Sequence, residues 1–212
     1  MAARGFTLIE LLISITIIGV VLVVVMGALR IGINAWEKGE ADIEAYQRQQ
    51  IVLQLVKQQL ASIQPAEISK EEQSPYYFLG GRRTVEFVSG VSIIPGNRYG
   101  RVFVKYRIRE GGADNTMSLQ IYETGLATAA GAESPFDPGE EAYHFLLEDM
   151  AGIRFDFLLQ KGDSPPEWRQ EWDPETVEAE LPRAVRISIQ ADKEAPEVSA
   201  VGRIAVDMEE ST

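Results

Sequence analysis

The chain has 212 residues, enough for one globular domain with an appendage but too few for two domains of ordinary size. Its hydrophobic content of 45% is that of a folded protein, and its net charge of −12 argues against sequence-independent binding to nucleic acid, so no nucleic-acid partner is expected. The absence of cysteine excludes disulfides and Cys-ligated zinc, and a single histidine is too few for a histidine-rich metal site, so no metal is predicted.

The first element is an apolar run from Phe6 to Leu29 in which Glu10 is the only charged residue. A helix over this run would rise about 36 Å at about 1.5 Å per residue, which is enough to cross a hydrocarbon core of about 30 Å. A soluble fold of this size has no need of a helix that is apolar on every side. We therefore predict a single transmembrane segment over residues 6–30.

Two ordinary membrane signals explain this run less well. A secretory signal has a shorter apolar core of about 7–15 residues followed by a small-residue cleavage site. The sequence around Ala28 is only a marginal candidate for such a cleavage site. A plain signal anchor accounts for the length and, by the positive-inside rule, for Arg4. It does not account for Glu10, because a carboxylate directed toward a bilayer core costs a few kcal/mol and is usually functional.

The string Arg-Gly-Phe-Thr-Leu-Ile-Glu, from Arg4 to Glu10, resembles the class III leader and mature start of type IV pilins and type II secretion pseudopilins. This resemblance implies that a prepilin peptidase removes residues 1–5 by cutting after Gly5, and that Phe6 becomes the methylated terminus. It also implies that the chain crosses a bacterial inner membrane once, with its C-terminal part in the periplasm. The freed amine of Phe6 would be a cation at the start of an apolar helix, and Glu10 of a neighbouring subunit would be an anion at nearly the same depth. Each charge alone is penalised in a low dielectric and their attraction is strong there, so we expect Glu10 to set the stagger between subunits during assembly.

Beyond Leu29 the helical pattern continues in amphipathic form over residues 31–64, and Pro65 is expected to end it. Its apolar residues recur at helical spacings and are Trp36, Ile43, Tyr46, Leu53, Val56, Leu60 and Ile63. We predict one continuous helix over residues 6–64, with the C-terminal half of the amphipathic segment packed in a core.

Residues 65–212 are predicted to form a β-rich periplasmic domain. The clearest strand patterns are Arg101 to Ile108, Met117 to Tyr122, Ile153 to Leu159, Ala184 to Gln190 and Arg203 to Met208, and weaker ones are Tyr76 to Leu79, Thr84 to Val88 and Tyr143 to Leu147. Residues 111–115, 128–141 and 162–180 are predicted loops. A long helix followed by strands predicts an α+β, pilin-like fold in which the helix packs on antiparallel sheets.

The C-terminal half has a second resemblance. Phe155-Asp156-Phe157-Leu158, a loop with Trp168 and Trp172, and then Leu181-Pro182-Arg183-Ala184-Val185 resemble the J-type minor pseudopilins of type II secretion. The resemblance implies a structural subunit at the tip of a periplasmic pseudopilus that helps to initiate assembly and to export folded proteins. Its implied partners are the I-, K- and H-type minor pseudopilins, the major pseudopilin and the inner-membrane assembly platform. Trp168 and Trp172 are more often covering side chains than ligand contacts, but they are candidates for an interface.

No catalytic signature accompanies these features. Gly-x-Ser-x-Gly, Walker-type and His-Glu-x-x-His motifs are absent, so the chain is predicted to be no enzyme and to need no cofactor. The acidic loop from Glu167 to Glu180 could bind calcium through oxygens, although a solvated loop is the favoured interpretation. Two alternatives remain open at this point: a minor pilin of a type IV pilus, which shares the leader, and a signal-anchored periplasmic binding protein or enzyme.

Overall fold

The computed structural model of the chain describes residues 7–64, 77–96, 100–111, 115–126, 138–160, 164–173 and 181–204. Two compact units divide the chain, Met1–Arg48 and Gln49–Thr212. In the described residues the regular elements are α1 (Leu8–Leu60), β1 (Phe78–Gly80), β2 (Thr84–Ser89), β3 (Val102–Glu110), β4 (Met117–Gly125), a 3-10 turn (Glu140–Ala142), β5 (His144–Met150), β6 (Gly152–Leu159), β7 (Glu167–Arg169), β8 (Ala184–Gln190) and β9 (Val198–Arg203).

The N-terminal unit contains the first part of α1. This part of the helix is long and apolar enough to cross a membrane, and none of its most apolar stretch is buried within the chain. Its large apolar side chains between Leu8 and Ile33 are all exposed. A helix that is apolar all round and uncovered requires a hydrophobic surrounding, which a bilayer or other apolar helices can supply.

The C-terminal unit contains two antiparallel sheets. One has five strands in the order β1-β2-β3-β4-β5, and the other has four in the order β7-β6-β8-β9. One apolar core joins both sheets to the last turns of α1, which contribute Val52, Leu53, Val56 and Leu60. The α+β, pilin-like prediction is therefore confirmed, and so is the prediction that the C-terminal half of the amphipathic segment packs in a core.

A glycine in β9 allows the helix to come close to the four-stranded sheet. A Cβ placed on Gly202 would lie 2.8 Å from the Cβ of Leu60 and 3.2 Å from the carbonyl oxygen of Lys57. The first separation is shorter than side-chain contacts allow and the second is tighter than most of them, so a larger residue at this position would require α1 or the sheet to shift.

The predicted end of the helix at Gln64 is wrong. α1 stops at Leu60, because Ile63 pairs with Ser89 as an isolated bridge at the end of β2. The amide of Gln64 then donates to a carbonyl of the same strand over 3.0 Å. The backbone thus leaves the helix to pair with β2 before Pro65 is reached.

Seven of the eight predicted strands overlap observed ones by two or more residues, and the eighth is misplaced. The predicted strand from Arg203 to Met208 shares only Arg203 with β9, which runs from Val198 to Arg203. Ile204 lies beyond the strand, and residues 205–208 lie outside the described part of the chain. β7 forms inside a predicted loop, because residues 167–169 pair with the edge of β6. Three residues without alternation carry too short a pattern to predict a strand.

Candidate assembly site

Glu10 lies in the first turn of α1, where Thr7 caps the helix. The amide of Glu10 donates to the carbonyl of Thr7 over 3.1 Å and lies 3.4 Å from the Thr7 hydroxyl. This is the N-cap half of a capping box, and an acid in the first turn also interacts favourably with the helix dipole. Sequence reasoning missed the role of Thr7, although the spacing Thr-x-x-Glu signals it.

Two hydroxyl side chains within the apolar run are satisfied by the helix itself. Ser14 donates to the carbonyl of Glu10 over 2.7 Å, and Thr16 donates to the carbonyl of Leu12 over 2.6 Å. A carboxylate only accepts, so carbonyls cannot satisfy Glu10 in the same way. In an apolar surrounding, a hydrogen-bond donor for the Glu10 carboxylate must therefore come from the start of the helix or from another molecule.

The predicted cleavage and methylation positions, Gly5 and Phe6, lie outside the described residues. The predicted segment boundaries after residues 5 and 30, and the predicted start of the β-rich domain at residue 65, likewise stay predictions. What the structure brings together is the helix start at Thr7, Glu10 in the first turn and the uncovered apolar surface that follows.

The structure separates the two candidate interface tryptophans. Trp168 on β7 is 36% exposed, whereas Trp172 is 2% exposed and belongs to the core. The amide and carbonyl of Trp172 bond to the carbonyl and amide of Gly80, over 2.6 and 2.9 Å, and so join the loop after β7 to the free edge of β1. Trp172 is therefore a covering side chain that ties the two sheets together, which is the favoured interpretation of the two, and Trp168 stays a candidate for an interface.

Trp168 packs against one end of a row of charged side chains on the outer face of the four-stranded sheet. The guanidinium of Arg186 lies 4.4 Å from the centre of the Trp168 ring and 2.9 Å from the carboxylate of Asp156. Arg154 continues the row from Asp156 to Glu197. Burial opposes the charge of Arg154, but hydrogen bonds to Glu197 and Asp156 outweigh this effect and raise its pKa. These contacts hold Trp168 in one orientation. The sequence does not show the row, because its residues become neighbours only when β6 pairs with β8.

The outer face of the five-stranded sheet has a comparable cluster. Arg107 lies 3.7 Å from the centre of the Tyr143 ring and bonds to Glu140 over 2.8 Å, and Arg109 bonds to the same carboxylate over 2.9 Å. The hydrogen bond from Arg107, together with the charges of both arginines, lowers the pKa of Glu140 despite some desolvation. These contacts fix the 3-10 turn on the sheet.

A buried polar network connects α1 to the five-stranded sheet. The carboxylate of Glu123 accepts a hydrogen bond from the Gln59 amide over 2.5 Å and from Ser92 over 2.6 Å, and the Tyr106 hydroxyl donates to Gln59. Burial, and then the charge of Glu123, raises the pKa of Tyr106. No sequence pattern pointed to this network, because its members come from four separate segments.

In the described part of the acidic loop, two glutamates form ion pairs with arginines. Glu167 bonds to Arg169 over 3.3 Å and Glu171 to Arg82 over 3.1 Å, while residues 174–180 are outside the described part. Among the described residues no cluster of three or more His, Asp or Glu side chains could hold a metal ion. His144 stands exposed on the edge strand β5.

Comparison with known families gives two adjoining matches. Residues 1–26 match the model of the prokaryotic N-terminal methylation motif, and residues 27–199 match the model described as type II secretion system (T2SS), protein J. No curated protein matches the chain. The first match covers Glu10 and its helix start, and the second covers both sheets except for most of β9.

Proposed function

Because this chain belongs to the family of type II secretion system protein J and is a pseudopilin with an N-terminal methylation motif, we propose that it is a minor subunit at the tip of a periplasmic pseudopilus. It is a structural subunit that helps to initiate pseudopilus assembly and to export folded proteins. The family assignment favours a secretion system over the type IV pilus that the leader alone left open. It equally disfavours a signal-anchored binding protein or enzyme.

The observation that carries this proposal is Glu10 in the first turn of an uncovered apolar helix. Before assembly the helix lies in the inner membrane, with the β-rich unit in the periplasm. After assembly the apolar surface is covered by helices of other pseudopilins, namely the I-, K- and H-type minor subunits and the major subunit. The inner-membrane platform moves subunits from the first surrounding to the second.

The proposed maturation creates the partner for Glu10. The prepilin peptidase cuts between Gly5 and Phe6, which frees and methylates the amine of Phe6. At about 4 Å and an effective dielectric constant of about 20, an amine and a carboxylate attract by about 4 kcal/mol before desolvation is subtracted. If about 1.4 kcal/mol of this remains, the pairing strengthens association about tenfold.

The mature N-terminus tests the first step. Mass spectrometry of the protein isolated from membranes should find a chain that begins with methylated Phe6. Gly5→Leu should leave an uncut precursor that still fractionates with the inner membrane. A native chain that begins at Met1 or near Ala28 would refute the pseudopilin maturation.

The Glu10→Ala variant tests the second step. It should be cut and methylated normally, yet at least tenfold less of it should co-purify with the other minor pseudopilins. Glu37→Ala is the matched control, because it removes an acid from the same helix beyond the apolar run. Equal recovery of both variants would rule out the assembly role of Glu10.

A further inference from the structure

A short apolar stripe continues α1 beyond its longest apolar run. It consists of Leu29, Ile33 and Trp36, whose spacing places them on one face of the helix. All three are exposed, Trp36 to 76%. Together with Ala28 and Gly32 they line a shallow groove. We call this surface the Trp36 stripe.

We propose that the Trp36 stripe lies in the lipid headgroup layer at the periplasmic side of the membrane and fixes the depth of α1 before assembly. This proposal rests on the proposed function, since it requires that α1 spans a bilayer. Its ligand is the interface of a phospholipid bilayer rather than another protein.

Distances along the helix place Trp36 at that layer. From Leu8 to Leu29 the helix rises about 32 Å, which matches a hydrocarbon core of about 30 Å. The Cα of Trp36 lies about 10 Å further along the axis, while a headgroup layer is about 5–8 Å thick. Helical side chains point toward the N-terminus of their helix, so the indole ring lies lower than its Cα, by roughly one turn. The ring therefore falls within the headgroup layer.

The charges around the stripe agree with this depth. From Leu29 to Trp36 the face of the stripe has no charged residue, Glu37 lines the groove at its far end, and Glu40 follows one turn after Trp36. Arg30 stands on another side, where its long side chain can extend to the headgroups. Tryptophan is enriched at such a boundary because its ring is apolar and its N–H is polar.

The stripe is also continuous with the apolar run, and this continuity favours lipid over a separate protein partner. A bilayer that covers Leu29 covers the next turn in part without any further binding event. A helix of another subunit could cover the same groove, and the experiment below separates the two cases.

Depth-dependent quenching tests the proposal on the full-length chain. The chain has three tryptophans, so the double variant Trp168→Phe, Trp172→Phe leaves Trp36 alone. In phosphatidylcholine–phosphatidylglycerol vesicles, lipids brominated near the headgroup should quench its emission several-fold more than lipids brominated near the chain end. Trp36→Phe is the matched control, and its remaining emission should be unaffected by either lipid.

Cysteine scanning gives a second measurement that leaves the core tryptophan in place. The chain has no cysteine, so Ile33→Cys, Trp36→Cys and Glu44→Cys each introduce a single thiol. In vesicles, modification by a membrane-impermeant maleimide should be slow at residue 33, intermediate at residue 36 and fast at residue 44, whereas in denaturant all three should react alike.

Three results would overturn the proposal. In the first, the protein floats with the vesicles, neither brominated lipid quenches Trp36, and the thiol at residue 36 reacts as fast as the thiol at residue 44. This result would place the stripe in water. Stronger quenching from the chain ends would place it in the hydrocarbon. Protection of residue 36 only after partner pseudopilins are added would assign the stripe to a subunit contact. Failure of the chain to float at all would instead refute the membrane anchoring on which the proposal rests.

Discussion

Replacing Glu123 by glutamine should destabilise the C-terminal unit even though the side chain keeps its size. One carboxylate oxygen accepts from Gln59 over 2.5 Å and from the amide of Ile93 over 3.0 Å. The other accepts from Ser92 over 2.6 Å and from the amide of Ile94 over 3.2 Å. A glutamine must place its NH2 group at one of these positions. The Ser92 hydroxyl can turn and accept, but a backbone amide cannot, so at least one backbone donor faces another donor.

An unsatisfied buried donor costs about 1–3 kcal/mol. A loss of about 2 kcal/mol lowers the Tm of a chain of this size by roughly 4–8 °C. The measurement is thermal unfolding of the full-length protein in detergent micelles, followed by near-UV circular dichroism. Glu140→Gln is the matched control, since it makes the same change at an exposed carboxylate. If both variants melt together with the parent, the network does not contribute to stability as argued.

Three further changes have expected outcomes in the same assay. The folded chain keeps Tyr106 neutral at pH values where the unfolded chain ionises it, so stability should fall as pH rises above about 10. Tyr106→Phe should flatten this decline, and an unchanged slope would refute the role given to Tyr106. Gly80→Val should lower stability by about 2 kcal/mol or more, because a Cβ there would lie 2.5 Å from the Phe157 ring, and a Tm equal to that of the parent would contradict it. The pairing of Glu140 with Arg107 lowers the pKa of the carboxyl group, so its small contribution to stability should be present above about pH 4.5 and lost as the pH falls. A difference in stability between Glu140→Gln and the parent that persists at about pH 2 would argue against this pairing.

Much of the fold was accessible from the sequence because its signals are local. Strand alternation is clear where one face is buried, and the predicted bounds of Ala184 to Gln190 are those of β8. The long apolar run and the Thr-Leu-Ile-Glu string predict the candidate N-terminal site for the same reason, since both lie within one contiguous segment. The family comparisons then supported this interpretation.

The features that sequence reasoning missed depend on contacts between distant segments. Trp172 is buried because its backbone joins the edge of β1, 92 residues earlier in the chain at Gly80. Glu123 has the same charge as the many exposed acids of this chain, and only the pairing of β3 with β4 and the position of Gln59 show that it is buried. In both cases the burial of the side chain depends on tertiary pairing, which the local sequence around the residue does not show.

The two parts of α1 differ in what fixes their position, and this difference is the reason for proposing a role for one carboxylate in the first part. Around Leu60 the helix is fixed to its sheet by close contacts with Gly202 and by the bonds of Gln59. The apolar run has no such feature, because sliding it by one turn, about 5.4 Å, exchanges one aliphatic side chain for another at little cost. The same shift would move Glu10 away from the proposed amine of its neighbour and leave a charge in an apolar surrounding. In the proposed assembly the apolar helix supplies the cohesion between subunits, and the pairing of Glu10 supplies their register.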